Sequence, residues 1–369
     1  MIPVCEPFLA GNEERYVMDA LRSGWISSAG KYISEFEASF SSYCGVKHGI
    51  AVCNGTAALH LALRSLGIDS GDEVIIPDFT MIASAFAVCY CRAIPVFVDA
   101  EADTWNIDTA KIEEKISPRT RAIMAVHIYG HPCDMEPVKK LAEKYQLKIV
   151  EDAAEVHGAE YKGKKCGSLG DISAFSFYAN KNITTGEGGM VVTDDDELAQ
   201  RCRYLKNLCF PLKGYREFIH NDIGFNYRMS NLHAAIGFAQ TEKADFYRGL
   251  RRNHARLYQK YLRDVPGLIF QPEKQWAVNV YWMNAVLVTD EFPLTRDGLM
   301  EELRKSGIDS RPFFMPMHRQ PALKKYGCDC SGSYPVSVNL SKNGLYLPSG
   351  SGLTDEDIQF ICNEIKKMC

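Results

Sequence analysis

The sequence predicts an α/β protein: a mostly parallel central sheet with helices on both faces, followed by a smaller α+β region. Three observations lead there. Short β-rich runs alternate with helical patterns through the first two-thirds of the chain. Several of these runs are continuously apolar, as strands buried on both faces require. After Asn231 the alternation gives way to a long helical stretch and a mixed tail. At 369 residues the chain is too long for one small core and suits two domains, set at residues 1–245 and 246–369.

The strand candidates are Gly49–Cys53, Glu73–Pro77, Ile94–Val98, Arg121–Val126, Leu147–Glu151, Ile172–Phe177 and Gly189–Thr193. Between them lie helix candidates at Thr56–Leu66, Thr80–Cys91 and Met135–Tyr145. Strand–helix–strand repetition implies parallel pairing, and ligands of such sheets gather beyond the carboxyl ends of the strands. The later part reads as one long helical stretch, Leu232–Leu262, then a strand at Trp282–Val288 and helices at Arg296–Lys305 and Asp355–Lys367.

Bulk composition narrows the function classes. Hydrophobic residues make up 46% and charged residues 24% of the chain, as in ordinary globular proteins. A net charge of −4 gives no electrostatic reason to expect nucleic acid. The basic run Arg248, Arg251, Arg252 and Arg256 has helical spacing and reads as a solvated face. The 13 cysteines show no metal spacing, and free thiols at this density fit a reducing, cytoplasmic compartment. Cys89 and Cys91 read as buried thiols, and no metal is expected at Cys328 and Cys330. Met1–Ala10 lacks the basic and apolar regions of a signal peptide. Phe79–Val98 is apolar over about a membrane thickness, but Arg92 and Pro95 interrupt it, so no membrane association is expected.

Three segments carry chemistry. Cys53-Asn54-Gly55-Thr56 joins a strand to a helix. Gly55 lets backbone approach a ligand, the new helix offers free N–H groups, and Thr56 adds a hydroxyl. On this segment alone, a phosphate cup and a plain helix N-cap stand even. Leu147–Ala154 ends a strand in two carboxylates. Strand alternation puts Glu151 and Asp152 on opposite faces. A strand-end Asp152 can pair with a pyridinium nitrogen; a helix-capping Asp is the plainer alternative. Phe175–Gly189 then brings a strand end at Ser176, a polar loop presenting Lys181, and a Gly-rich turn. A lone loop lysine is ordinarily a solvated charge. With a phosphate cup and a strand-end Asp before it in the same sheet, Lys181 reads instead as a desolvated Schiff-base amine.

These segments, with Gly24-Trp25-Ile26-Ser27-Ser28, Gly71–Pro77, His127-Ile128-Tyr129-Gly130, Glu151–Glu155 and Gly224–Met229, resemble the DegT/DnrJ/EryC1/StrS sugar aminotransferases over nearly the whole chain. The resemblance implies an aspartate-aminotransferase-like fold (PLP fold type I), pyridoxal 5'-phosphate as cofactor, and a homodimer with shared active sites. It implies that Lys181 and Asp152 are catalytic, Lys181 forming the covalent link and Asp152 pairing with the ring nitrogen. Gly55, Thr56 and Ser176 would hold the phosphate, Asn226 would reach the partner chain's cofactor, and Glu155 would lie on the ring's oxygen side. Trp25, Ser27, Arg311 and His318 fall in segments that line the substrate pocket. The implied substrates are L-glutamate and a nucleotide-linked 4-keto-6-deoxy-sugar, GDP-4-keto-6-deoxymannose first and a UDP- or dTDP-linked 4-keto-6-deoxyglucose second. A sugar 3-dehydratase of this fold carries His where Lys181 stands, and full retention of the set weighs against a non-catalytic sensor.

Two positions depart from the pattern. Met81 stands where many relatives stack an aromatic ring on the cofactor, and its thioether makes a softer contact. The loop Cys209–Arg216 is unlike the Gly-Gln-Gly segment of the nearest subgroup. Elsewhere the plain readings hold: His127 and His131 are not placed for a metal, His233 packs on a helix, and Trp276 and Trp282 anchor the small domain's core. Arg228 serves a dimer contact or an acidic amino donor, with neither favoured.

Overall fold

A computed structural model describes residues 1–212 and 218–369. The central sheet has seven strands, in the order His48–Val52, Gly189–Thr193, Ile172–Ser176, Lys148–Asp152, Thr120–Val126, Glu73–Pro77, Ile94–Val98. All neighbours pair in parallel except Gly189–Thr193, which is antiparallel to both strands beside it. Each expected strand is present, with ends shifted by at most one residue.

Side-chain alternation sorts these strands into two cores. Ile50, Val52, Val74, Ile76, Met124, Val150 and Val191 face one way, against the helices Gly55–Ser65, Ile82–Tyr90 and Asp196–Leu205. Ala51, Ile75, Ile123, Ala125, Ile149, Phe175 and Val192 face the other, against Lys31–Cys44, Met135–Tyr145 and Asn231–Glu242. Adjacent residues of one strand thus serve opposite layers, which is why the runs read as continuously apolar. The second core is aromatic: Phe40 meets Phe175 and Phe177 edge-on at 4.9 and 5.0 Å, contacts that add about 1 kcal/mol each beyond simple burial.

A second sheet, wholly antiparallel, runs in the order Leu268–Phe270, Asn284–Val288, Gly344–Leu347, Arg311–Pro312. The helices Ala244–Tyr261, Arg296–Lys305 and Asp355–Lys366 pack on it around Tyr258, Val286, Leu303, Leu345 and Ile361. The apolar stretch at Phe79–Val98 divides into the helix Ile82–Tyr90 and the strand Ile94–Val98, with Arg92 turning the chain at φ 59°. Among the described residues, no helix is long and apolar enough to cross a membrane.

Three expectations need correction. The long helical stretch is two helices, Asn231–Glu242 and Ala244–Tyr261, broken at Lys243. The basic run is a solvated face only in part: Arg256 is exposed and Arg248 and Arg252 half-buried, but Arg251 is enclosed. Arg251 is 1% exposed and donates to Ser351 Oγ, to the carbonyls of Trp282 and Ser349, and to Cys5 Sγ. The tryptophans do not anchor the small core. Trp276 packs on Tyr161 and His131, and Trp282 stacks beside Tyr129, so both lie against the large sheet's layers.

Candidate active site

The carboxyl ends of five central strands meet at one cavity of about 340 Å³. Asn54 follows the first strand, Thr80 and Met81 follow the second, and Val126, Asp152 and Ser176 end three others. Sheet register sets Val126 beside Asp152 and Asp152 beside Ala174. The expected residues Gly55, Thr56, Met81, Asp152, Glu155, Ser176 and Lys181 all line this cavity.

One wall is built for an anion. Asn54 caps the helix Gly55–Ser65, accepting the Ala57 amide at 2.8 Å, and the first-turn amides before it have no intrahelical acceptor. Gly55 is required there: a Cβ would sit 2.6 Å from that of Ser176. The hydroxyls of Thr56 and Ser176 flank the same corner of the cavity. Bare amides, two hydroxyls and a helix N-terminus are donors only an anion satisfies well, so the residues present fit a phosphate group.

Opposite chemistry surrounds Lys181. Its side chain is 9% exposed, and its Nζ lies 3.6 Å from the Trp282 ring centroid and 4.0 Å from Glu155 Oε1. Burial lowers its pKa, against the nearby Glu155 and Asp152 carboxylates, which favour the ammonium. Burial wins, so the amine leans towards its neutral, nucleophilic form. Burial likewise raises the Glu155 carboxyl to about 7, with Lys181 and the Tyr129 amide opposing. That amide donates to Glu155 Oε2 at 2.6 Å, from a residue held at φ 56°. Gly130 follows at φ 112°, where a Cβ would lie 2.7 Å from the Trp282 backbone nitrogen. The His-Ile-Tyr-Gly segment is therefore a strained turn that aims one donor at Glu155.

The two strand-end carboxylates go to opposite faces. Asp152 accepts from Ser84 Oγ at 2.7 Å and lines the cavity. Glu151 points away and accepts from the amides of Gly167, Leu169 and Gly170, from Ser173 Oγ, and from His127 Nε2. His127 Nδ1 takes the Cys133 amide. Glu151, His127 and Cys166 form a compact cluster, but the carboxylate and imidazole are spent on protein partners and brace the turn at 167–170. Met81 is 46% exposed, and its sulfur accepts the Ala83 amide at 3.0 Å.

The expected residues Trp25, Ser27, Asn226, Arg311 and His318 are not brought to this cavity within the single chain. Trp25 is 60% exposed, and Asn231 fastens its segment through the Trp25 and Ser27 carbonyls. Asn226 Oδ1 accepts from Arg228, whose Nη1 also reaches Asn207. Arg311 pairs with Asp309. His318 is tied to Asp78 through Nδ1 and its backbone amide, both at 2.8 Å. Sequence reasoning missed Trp282, Phe314 and Tyr346, which close the cavity from the C-terminal third. No local signal marks them, because only the packing of the second sheet on the first brings them near Lys181.

The same motifs and fold recur in known proteins. A match to the DegT/DnrJ/EryC1/StrS aminotransferase family spans residues 8–366. The chain belongs to that family. The GDP-perosamine synthase of Caulobacter vibrioides is 46% identical over 358 residues, covering 97% of this chain and 95% of that protein. The GDP-perosamine synthase of Vibrio cholerae is 43% identical over 366 residues, covering 99% and 98%. Among solved structures, Spr1654 of Streptococcus pneumoniae in its PLP-form is similar, with a TM-score of 0.93, 28% identity, and coverage of 100% of this chain and 98% of that one. The α/β fold expected from the sequence is thus the aspartate-aminotransferase-like fold of this family, and the chain is an aminotransferase.

Proposed function

We propose that this aminotransferase uses pyridoxal 5'-phosphate to move an amino group from L-glutamate to C4 of GDP-4-keto-6-deoxymannose, giving GDP-perosamine. The observation that carries the reading is the desolvated Lys181 amine in one cavity with the Asp152 carboxylate and an anion corner at Gly55, Thr56 and Ser176. Two similar proteins named for that product, at 43% and 46% identity over nearly full length, support the sugar and nucleotide.

Bound pyridoxal phosphate supplies an electron sink beside the carbon that gains or loses the amino group. The chain's own residues do the rest. Gly55, Thr56 and Ser176 would hold the phosphate, and the Asp152 carboxylate, which burial alone pushes towards its protonated form, would meet the ring nitrogen, whose positive charge favours the ionised carboxylate. Lys181, leaning neutral, takes a proton at Nζ from one carbon and delivers it to another. Glu155, steadied by the Tyr129 amide, would hold a proton or charge on the ring's oxygen side. Trp282, Phe314 and Tyr346 keep water from the reacting atoms.

The proposal includes a cytoplasmic homodimer in which Asn226 and the Trp25–Ser27 segment complete the partner's site, and Arg311 and His318 contact substrate. Large exposed apolar side chains support it: Trp25 at 60%, Phe218 at 84% and Ile223 at 91% lie near those segments in sequence. The division at residues 245 and 246 belongs to the same proposal. A UDP- or dTDP-linked 4-keto-6-deoxyglucose is the second reading. The loop Cys209–Arg216, which departs from the family pattern, motivates it; residues 213–216 lie outside the described residues. Incubation with glutamate and GDP-, UDP- and dTDP-linked 4-keto-6-deoxy-sugars, with mass and NMR analysis of products, tests both. GDP-perosamine as the main product is expected. A different aminated sugar would replace the substrate assignment, and no 2-oxoglutarate with any sugar would remove the catalytic one.

A further inference from the structure

Asp152 is braced by two buried hydroxyls, Ser84 behind it and Thr80 at the cavity wall. Ser84 Oγ lies 2.7 Å from Asp152 Oδ2, and Thr80 Oγ1 lies 3.0 Å from Ser84 Oγ. Ser84 is 0% exposed and Thr80 1%. The direction of the chain follows from the chemistry. The Ser84 hydroxyl donates to Asp152 Oδ2, which spends its one proton, so the Ser84 oxygen accepts and Thr80 is the donor; burial raises the Asp152 pKa, and the Ser84 hydrogen bond opposes that rise.

The surroundings make the hydroxyls informative. Ser84 sits in the first turn of the helix Ile82–Tyr90, among Ala83, Ala85 and Ala87. Alanine is the better helix former and carries no polar atom to bury. A serine at that place, facing the sheet layer of Asp152, puts a donor on that carboxylate and takes one from Thr80. Among the described residues, the other carboxylate oxygen, Oδ1, has the long 3.3 Å contact from the Ala154 amide as its hydrogen bond. It remains available to the cavity.

We infer that Thr80 and Ser84 are positioning residues for Asp152: a two-hydroxyl relay that holds its carboxylate charged and directs the free oxygen at the cofactor ring. The relay works as outer partners do at other charged sites, fixing orientation while adding donors to the anion. It rests on the reading that Asp152 meets the ring nitrogen.

The test uses purified holoenzyme and three readouts: the Kd for pyridoxal phosphate, the pH titration of the bound cofactor's visible absorbance, and separate kcat and KM. Ser84→Ala should weaken cofactor binding roughly tenfold and shift the absorbance titration by about one pH unit. kcat should fall while KM for glutamate stays within about twofold. Ser84→Thr, which keeps the hydroxyl, should restore parental values. Thr80→Val should act in the same direction with roughly a threefold effect, and Thr80→Ser should be neutral. In Asp152→Asn, adding Ser84→Ala should cost nothing further. Parental affinity and spectrum in Ser84→Ala would overturn the inference, as would additivity with Asp152→Asn. Thermal melting of the cofactor-free proteins checks folding; if Ser84→Ala does not fold, parental behaviour of Thr80→Val overturns the inference by itself. Tight binding by Asp152→Asn would instead remove the ring-nitrogen reading beneath it.

Discussion

The cofactor corner and the outer rim of this molecule are built in different ways. Gly55, Asp152, Ser176 and Lys181 sit at strand ends or in tight loops, and one chain brings them to a single cavity. Trp25, Ser27 and Asn226 lie on exposed segments among large apolar side chains, away from that cavity. The corner is preorganised by a sheet buried on both faces. The rim holds its segments in place, Trp25–Ser27 through Asn231, but among the described residues it does not bring them to the cavity. The difference teaches that one chain assembles the cofactor corner by itself, while the rim segments are the part of the proposed site that a second chain would have to complete.

The contrast can be broken most sharply at Lys181. Lys181→Ala should lose roughly three orders of magnitude or more in kcat and all borohydride-reducible yellow colour. Peptide mapping of the reduced parent should place the label on residue 181; a label on another lysine would refute the assignment of the corner.

A charge on the rim comes next. Ile223→Asp should shift the protein from dimer to monomer by light scattering and abolish most turnover, because burying an unpaired carboxylate is costly. A mixture of Lys181→Ala and Asn226→Asp chains should regain activity, since one site of the mixed dimer is then wholly native. An active monomer, or no recovery on mixing, would show that one chain completes its own site.

A smaller effect tests the electrostatics of the corner. Glu155 has a folded pKa of about 7, against about 4.3 for an ordinary glutamate. Between those values the folded chain keeps a proton that the unfolded chain has released. Stability of the cofactor-free protein should therefore fall as pH rises through that window. Lys181, pushed down by burial, acts with the opposite sign on the alkaline side. Glu155→Gln should flatten the acid-side slope of Tm against pH; an unchanged slope would show that Glu155 does not cause it. Met81→Phe should give the smallest change, a cofactor Kd lower by about threefold through a flat ring contact. No gain would mean the exposed thioether wall is not a stacking surface.

Legibility in the sequence followed the same divide. The strands were readable because continuous apolar runs bounded by turns mark a sheet covered on both faces. Placing Asp152 and Glu151 on opposite faces needed only period-two geometry, and the opposite partners of the two carboxylates follow it. The second sheet was largely illegible: Arg311–Pro312 and Leu268–Phe270 are too short to carry a pattern. Arg251 shows how helical spacing alone misleads. Its periodicity matched a solvated face, but backbone carbonyls of two distant loops and a cysteine near the N-terminus enclose it.

By itself the sequence determined the α/β layering and marked three candidate segments at strand ends, around Gly55 and Thr56, Asp152 and Lys181, because each is signalled by a pattern within a few residues. Only the tertiary structure decided that Trp282, Phe314 and Tyr346 would close over Lys181, that a strained Tyr129 would donate to Glu155, and that Thr80 and Ser84 would brace Asp152. Those contacts join residues tens to more than a hundred positions apart. What fixes them is the packing of one layer on another, and no local pattern of residues encodes that distance.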